Sequence, residues 1–225
     1  MNITWFGHSN FQLAHNGITV VIDPFFHGNP NAPITCGEVE CADLVLVTHD
    51  HGDHVGQAVD LAKATGAKLV GVFDTVNKLV GQGLPQKQAV GMNLGGGVEL
   101  AGVRIHMVQA MHSTASGAPA GYILTFPGGP CVYHSGDTAL FASMALFAEF
   151  HDIDVALLPI DGYFNMDGEQ AAYACKLLRC KAAVPMHWGT FPMLAQDTTA
   201  FEAGLKKHAP ATRMLRMLPG DTVKL

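Results

Sequence analysis

Seven consecutive residues of this chain, Thr48 to His54, concentrate groups that can bind a metal ion. The segment reads Thr-His-Asp-His-Gly-Asp-His and contains three imidazoles and two carboxylates. Imidazole nitrogen and carboxylate oxygen are ligands that Zn²⁺, Fe²⁺ and Mn²⁺ accept. The apolar run Leu44–Val47 leads into the segment, which predicts a buried strand ending at the cluster. Sites in layered α/β folds are built at such strand ends.

The spacing within the segment predicts which side chains face the same way. His49 and His51 are two residues apart, so both lie on one side of an extended chain, and Asp53 continues that side. Asp50 alternates away from them, and we expect a solvated or turn-stabilising role for it. His54 breaks the alternation, which fits a chain that turns into a helix there.

Further residues that follow other predicted strands are candidates for the same site. His8, His112, Asp137 and His187 each come shortly after an apolar run, and Tyr163 and Met166 lie in the loop after another. Asp23 either orients a ligand histidine or caps its strand. His134 is expected in the core or beside the site. Trp188, Phe191 and Phe164 are expected either to form an apolar wall of the pocket or to pack in the core.

The elements that must position these residues follow from hydrophobic periodicity. The predicted strands cover residues 2–7, 10–15, 18–23, 44–47, 68–72, 98–100, 103–109, 121–126, 130–134, 154–160, 182–186, 213–218 and 222–225. The predicted helices cover residues 55–65, 75–80, 141–150, 169–178 and 198–208. Meandering strands followed by alternating strands and helices predict an α/β (α+β) fold of two packed mixed sheets flanked by helices. We expect a single domain over residues 1–225.

The ordered set of motifs resembles the metallo-β-lactamase superfamily. The set consists of the HxHxDH motif (His49, His51, Asp53, His54), a later histidine (His112), Gly-Asp-Thr (Asp137) and a final histidine (His187). The likeness is closer to the L-ascorbate-6-phosphate lactonase-like proteins, which include a group of uncharacterised bacterial metal-dependent hydrolases. Matching segments cover nearly the whole chain in order: Trp5–Ser9, Ile22–Phe25, Val47–His54, Tyr133–Thr138, Leu157–Ile160 and Pro185–Pro192.

This resemblance implies a four-layer αββα sandwich that holds two divalent ions, zinc in the first place with manganese or iron as alternatives. His49, His51 and His112 are then the ligands of the first ion. Asp53, His54 and His187 are those of the second, and Asp137 bridges the two. His8 lines the site without binding a metal and, with Asp53, is a catalytic candidate.

The expected reaction is hydrolysis of a small ester, lactone or phosphodiester by a metal-bridging hydroxide. Asp53 holds the hydroxide and passes its proton to the leaving group. The loop from Asp161 to Met166 matches the family only in Phe164 and Met166, so the substrate is left open by the resemblance.

The same residues are compatible with several other functions. A persulfide dioxygenase shares the HxHxDH pattern but uses one Fe²⁺, whereas diiron oxygen reductases carry Glu at the position of His51. A phosphodiesterase or nuclease of the same fold and a non-catalytic binding protein are further alternatives.

Composition narrows the partners and the location. The net charge is −6 and no run of Lys and Arg occurs, which disfavours nucleic acid. No stretch reaches the roughly 18 apolar residues of a membrane span. Five cysteines without a CxxC pair indicate reduced thiols in a cytoplasmic protein. We expect a small-molecule substrate; small proteins of this type often self-associate, so a homo-oligomer is an open expectation.

Overall fold

Two mixed β-sheets of seven strands each form the centre of the molecule. The computed structural model describes residues 1–225. The strands are β1 (Asn2–Trp5), β2 (Phe11–His15), β3 (Ile18–Ile22), β4 (Leu44–Leu46), β5 (Lys68–Val72), β6 (Ala89–Met92), β7 (Gly97–Leu100), β8 (Val103–Gln109), β9 (Ala120–Thr125), β10 (Cys131–His134), β11 (Val155–Pro159), β12 (Ala182–Met186), β13 (Arg213–Met214) and β14 (Thr222–Lys224). The helices are α1 (Gly52–Val55), α2 (Ala58–Thr65), α3 (Phe73–Gly81), α4 (Met144–Phe150), α5 (Gly168–Leu178) and α6 (Thr199–His208).

The strand order explains why distant parts of the chain meet at one edge. The first sheet has the order β14-β1-β2-β3-β4-β5-β6 and the second β13-β12-β11-β10-β9-β8-β7. In each sheet an antiparallel meander continues into parallel strands, from β3 to β6 and from β10 to β13. The carboxyl ends of β1, β3, β4, β8, β10, β11 and β12 therefore face one end of the molecule.

Three apolar clusters define four layers. A cluster of 25 buried residues fills the space between the two sheets. A second cluster of 15 packs α2 and α3 on the outer face of the first sheet. A third of 21 packs α4, α5 and α6 on the outer face of the second. The predicted sandwich of two mixed sheets flanked by helices is confirmed. No helix is long and apolar enough to cross a membrane.

A tyrosine hydroxyl connects the two sheets close to the site. Tyr122 lies on β9 in the second sheet and is fully buried. Its hydroxyl donates a hydrogen bond of 2.7 Å to the carbonyl of Val47, just after β4 in the first sheet. This contact sets the distance between the sheets directly below the Thr48–His54 segment.

The structure corrects the predicted helix over residues 55–65. It consists of two helices, α1 and α2, separated at Gly56, whose φ is 42°. A side chain on Gly56 would collide with the carbonyl of Pro24. Close packing against the loop after β3 thus interrupts a segment whose periodicity alone favours one helix.

Other elements also differ from the predictions. Strand β6 was not predicted, because its four residues lack a buried alternation. The strand predicted over 213–218 pairs with β12 only at Arg213 and Met214. The helix predicted from residue 141 begins at Met144.

Candidate metal centre

The polar residues predicted at strand ends come together at one edge of the two sheets. His8 follows β1, the Thr48–His54 segment follows β4, and His112 follows β8. Asp137 follows β10 and His187 follows β12. Their donor atoms form groups whose members lie within 4.8 Å of one another. All seven predicted metal ligands belong to these groups.

Three imidazoles form the first group, which we call the three-histidine group: His49, His51 and His112. The Nε2 atom of His49 lies 2.9 Å from Nδ1 of His51. The ring centre of His112 lies 5.1 Å and 5.2 Å from the ring centres of these two residues. Three nitrogen ligands that leave a position open are typical of catalytic zinc.

Four residues form the second group, which we call the mixed group: His8, Asp53, His54 and His187. Nε2 of His8 lies 3.2 Å from Oδ2 of Asp53. The His8 ring packs on that of His187 with the centres 3.7 Å apart. His8, predicted only to line the site, thus has a ring nitrogen among the candidate ligands.

Asp137 lies between the two groups. Its Oδ2 atom is 3.5 Å from Nε2 of His112 in the three-histidine group and 3.2 Å from Nε2 of His187 in the mixed group. Its Oδ1 atom is 3.3 Å from Nε2 of His54. The side chain is only 3% exposed. This carboxylate reaches donors on both sides, which is the arrangement a bridging ligand requires.

A buried carboxylate orients His54. Oδ2 of Asp23 accepts a hydrogen bond of 2.7 Å from Nδ1 of His54. Thr48 donates to the same carboxylate through its backbone N–H at 2.8 Å and its hydroxyl at 2.7 Å. With Nδ1 engaged in this way, Nε2 of His54 is left free for a metal. Of the two roles open for Asp23, the structure favours orientation of a ligand histidine.

Asp161 makes the corresponding contact to His187. Its Oδ2 atom lies 3.1 Å from Nδ1 of His187. Its Oδ1 atom accepts backbone hydrogen bonds from Tyr163 at 3.0 Å and Phe164 at 2.8 Å. The same side chain therefore supports a candidate ligand and shapes the loop beside it.

His134 supports the site from the core. Its Nε2–H donates to the carbonyl of Ser9 at 3.0 Å, and its Nδ1 accepts from the backbone N–H of Gly136 at 3.1 Å. A carbonyl can only accept and an amide can only donate, so this ring is neutral and in the Nε2–H form. Burial lowers the pKa of His134. Its contacts hold the backbone next to His8 and next to Asp137.

Several site residues adopt left-handed backbone conformations. The φ angles are 53° at His8, 47° at Asp23 and 62° at His187. Such angles are costly for residues other than glycine and persist where the surrounding structure imposes them. Gly136, with φ of 60°, has no room for a side chain because a Cβ would lie 2.5 Å from the carbonyl of Ala120.

The buried charges of the site shift the pKa values in opposite directions. Burial disfavours the charged form of His187, but Asp137 and Asp161 outweigh it and raise the pKa of His187 to about 9. Burial and the neighbouring His54 lower the pKa of His49 to about 2. Burial would raise the pKa of Asp137, yet His187 and His54 hold it well below its ordinary value. The Asp137 carboxylate is therefore ionised.

Several buried polar atoms in the centre have no hydrogen-bond partner. They include Nε2 of His54, Oδ1 of Asp137 and Nε2 of His187. Unpartnered buried polar atoms are rare because each loses its hydration without compensation. A divalent cation accepts lone pairs from imidazole nitrogen and carboxylate oxygen and balances the carboxylate charge. These residues therefore fit a divalent metal ion.

Asp50 is placed differently from its sequence prediction. A solvated or turn-stabilising role was expected, and the side chain is 1% exposed, so the solvated alternative is wrong. Both carboxylate oxygens accept hydrogen bonds from the segment after His112 and from Lys78 on α3. Side-chain alternation correctly predicts that Asp50 points away from the ligands. Contacts with distant residues bury the side chain in that position.

Sequence reasoning missed three supporting residues. Asp161 directly follows the predicted strand that ends at Ile160, so its position was a usable signal. Thr48 precedes the first ligand, and nothing in its residue type points to the contact with Asp23. Thr190, whose hydroxyl lies 3.0 Å from Nδ1 of His8, is 182 residues distant from it in sequence.

Three aromatic residues were expected either to form an apolar wall of the pocket or to pack in the core, and the structure places them differently from one another. Phe191 packs edge-on against His8, with the ring centres 5.7 Å apart. Trp188 packs instead against the core residue Trp5 at 5.6 Å. Phe164 is 55% exposed and contacts the exposed ring of Tyr163. Of these three residues, Phe191 therefore borders the candidate ligands, as Phe25 also does, with its ring centre 5.7 Å from that of His8.

Comparison with known proteins agrees with this geometry. Residues 2–187 match the model of the beta-lactamase superfamily domain. The chain is 56% identical to a UPF0173 metal-dependent hydrolase of Nitratidesulfovibrio vulgaris (strain DP4), over 99% of this chain and 95% of that protein. It is 43% identical to a UPF0173 metal-dependent hydrolase of Pyrobaculum islandicum, over the full length of both.

A solved structure extends the comparison to three dimensions. Igni18, a metallo hydrolase of the hyperthermophilic archaeon Ignicoccus hospitalis, superposes with a TM-score of 0.90 at 38% sequence identity. The alignment covers 99% of this chain and 97% of Igni18. Because the match in sequence and in structure spans most of the chain, the protein belongs to the metallo-β-lactamase superfamily.

Proposed function

We propose that this protein is a dinuclear metal-dependent hydrolase of small ester, lactone or phosphodiester substrates. One observation carries the proposal: Asp137 lies buried between two groups of donor atoms, and the nitrogens around it include buried atoms without partners. His49, His51 and His112 would hold one ion and Asp53, His54 and His187 the other, with Asp137 between them. A pair of divalent ions supplies a water of lowered pKa and stabilises negative charge that develops on oxygen.

Asp53 is the residue best suited to move the proton. Its side chain is 33% exposed, whereas those of Asp23, Asp137 and Asp161 are buried against imidazoles. Burial would raise its pKa, but the hydrogen bond with His8 lowers it, so the carboxylate is ionised and able to accept a proton. Accepting the proton of the attacking water and delivering it to the leaving group requires this access to the mouth of the site.

His8 orients Asp53 in this proposal. Burial and the neighbouring His187 lower the pKa of His8 to about 4, so its ring is neutral near pH 7. The Thr190 hydroxyl lies 3.0 Å from Nδ1, and Nε2 faces Asp53. A neutral imidazole held at both nitrogens keeps the Asp53 carboxylate in one position.

The surroundings of the ligands favour an uncharged substrate. Met111, next to His112, is 49% exposed, and Tyr163, two residues after Asp161, is 67% exposed. None of the ion pairs formed by lysine or arginine includes a predicted metal ligand. Exposed apolar side chains beside the ligands suit a carboxylic ester or lactone better than a phosphodiester.

Metal content followed by a substrate panel tests the proposal. Protein purified without added metal should contain two equivalents of zinc or manganese per chain. A panel of lactones, carboxylic esters, thioesters and phosphodiesters should then show turnover, lost together with metal in Asp137→Ala. Two bound ions without turnover of any class would instead support the binding protein. One iron per chain with oxygen consumption on persulfides would support the dioxygenase.

Further proposals concern the subfamily, the oligomeric state, the partner and the cellular location of the protein. The closer likeness to L-ascorbate-6-phosphate lactonases stays a prediction, as does self-association into a homo-oligomer. The net charge of −6 supports a small-molecule partner over nucleic acid, and composition supports a cytoplasmic location.

A further inference from the structure

The carboxylate of Asp50 accepts four hydrogen bonds in a buried position between two candidate metal ligands. Its Oδ1 atom accepts from the Thr114 hydroxyl at 2.6 Å and the Ala115 backbone N–H at 2.7 Å. Its Oδ2 atom accepts from the Ser116 hydroxyl at 2.6 Å and Nζ of Lys78 at 2.8 Å. Four donors use the whole acceptor capacity of a carboxylate, so Asp50 has none left for a metal.

These contacts join separate parts of the chain that supply one group of ligands. Asp50 lies between His49 and His51, and the segment 113–117 directly follows His112. In the three-histidine group, His49 and His51 are therefore next to Asp50, and His112 is next to the segment that Asp50 contacts. These contacts act alongside a backbone hydrogen bond of 3.0 Å from the Ala120 N–H to the Thr48 carbonyl, which also joins the two loops.

The segment 113–117 is in turn fixed to the first sheet. The Thr75 hydroxyl on α3 donates to the carbonyl of Ser116 at 3.0 Å. Gly117 packs so closely that a Cβ there would lie 2.7 Å from Cγ1 of Val72 at the end of β5. Lys78, also on α3, donates to Asp50 itself, so this helix is connected both to the segment 113–117 and to Asp50.

We propose that Asp50 is a positioning residue that sets the spacing of His49 and His51 relative to His112. The inference rests on the metal assignment of the proposed function. Residues that orient metal ligands usually change metal affinity by about 10- to 100-fold when replaced. Because Asp50 is flanked by His49 and His51 and three of its partners closely follow His112, the effect should be confined to that group.

Asp50→Asn is the sharpest variant because it keeps the size of the side chain. Its amide nitrogen would face two donors in place of an acceptor, so two hydrogen bonds are lost. Lys78→Met removes one donor that is 41% exposed and should have a smaller effect. Asp154→Asn is a matched control: Asp154 accepts from Lys181 at 2.8 Å and from the Cys131 N–H at 2.8 Å, at the opposite ends of the strands.

Each ion is measured separately by making the variants in two backgrounds. His187→Ala weakens the mixed group and leaves the three-histidine group to titrate, and His112→Ala does the reverse. Zn²⁺ affinity is measured by competition with a chromophoric chelator, and the visible spectrum of bound Co²⁺ reports the ligand geometry. Circular dichroism spectra and melting temperatures show whether each variant is folded.

In the His187→Ala background, Asp50→Asn should weaken Zn²⁺ binding by about 10- to 100-fold and alter the Co²⁺ spectrum. Lys78→Met should fall between Asp50→Asn and the parent, and Asp154→Asn should match the parent. In the His112→Ala background, all of them should bind alike. Unchanged affinity and spectrum in folded Asp50→Asn would overturn this inference alone, as would equal losses in both backgrounds. A parent protein that binds no metal would overturn the proposed function as well.

Discussion

At the scale of single residues, two carboxylates outside the predicted ligand set orient histidines of the candidate metal centre. Asp23 contacts His54 and Asp161 contacts His187, each through Nδ1 of the imidazole. Both contacts leave Nε2 directed toward Asp137. Two candidate ligands of the mixed group are therefore oriented by residues outside the HxHxDH motif.

Replacement of Asp161 by Asn tests this at the mixed group. Asn can keep Oδ1 as acceptor for the loop N–H groups, but it loses the charge facing His187. We expect Zn²⁺ affinity of the mixed group to fall by about 10- to 100-fold, measured by chelator competition in the His112→Ala background. Asp43→Asn, at the opposite end of β4, is the control and should bind as the parent does. An Asp161→Asn protein with parental affinity would contradict the orienting role.

At the scale of elements, close approaches between loops and strands decide where the site segments lie. Gly56 ends α1 against the loop after β3, and Tyr122 ties β9 to the end of β4. Both contacts border the Thr48–His54 segment. Their loss should affect the stability of the site-bearing edge before it affects the rest of the fold.

Gly56→Ala should destabilise the protein more than an ordinary glycine substitution. The new Cβ combines an unfavourable φ with a collision against the Pro24 carbonyl. We expect a cost of about 2–4 kcal/mol, or a fall in melting temperature of about 5–15 °C. Gly17→Ala separates the two effects, because Gly17 has φ of 81° but nothing within 4 Å of its Cβ position. Equal melting temperatures for the two variants would show that the collision is relieved.

Tyr122→Phe should weaken the link between the sheets. The variant leaves the Val47 carbonyl without its buried 2.7 Å hydrogen bond and keeps the ring. We expect a loss of about 1–2 kcal/mol in the free energy of unfolding, measured by urea denaturation. Tyr173→Phe, at a partly exposed ring on α5, should cost almost nothing. A Tyr122→Phe protein as stable as Tyr173→Phe would mean that this bond contributes little.

At the scale of the whole molecule, the centre depends on the chain closing on itself. The first and last strands pair, and the amino group of Met1 lies 3.3 Å from the carbonyl of Leu225. His8 and Thr190 meet at the site across most of the chain length. The centre should therefore respond to any condition that loosens the packing of the two sheets.

Acidic pH should destabilise the folded protein, and protonation of His134 should be one cause. Burial lowers the pKa of His134 in the folded protein, whereas the unfolded chain takes up a proton near pH 6.5. The stability contributed by its neutral form is complete above about pH 6.5 and is lost as the pH falls toward the lower folded pKa. The slope reaches about 1.4 kcal/mol per pH unit for one proton.

Urea denaturation of the parent and of His134→Gln between pH 7.5 and 5 measures this contribution. The parent should lose more stability on acidification than the variant, since both proteins contain the other imidazoles. Parallel curves for the two proteins would exclude His134 as a source of acid sensitivity.

Local pattern in the sequence predicted the candidate ligand types and the two-sheet fold class, and the family resemblance implied the partition of the ligands between two ions. These depend on side-chain alternation, hydrophobic period and motif order, which act over a few residues. Only the tertiary structure decided that Asp50 is buried, that Asp161 and Thr190 support His187 and His8, and that a helix breaks at Gly56. Each of these depends on contacts between residues far apart in sequence, where local periodicity carries no information about which loops approach. The Thr48–His54 segment therefore specifies the chemistry of the ligands, and the packing of two sheets specifies their geometry.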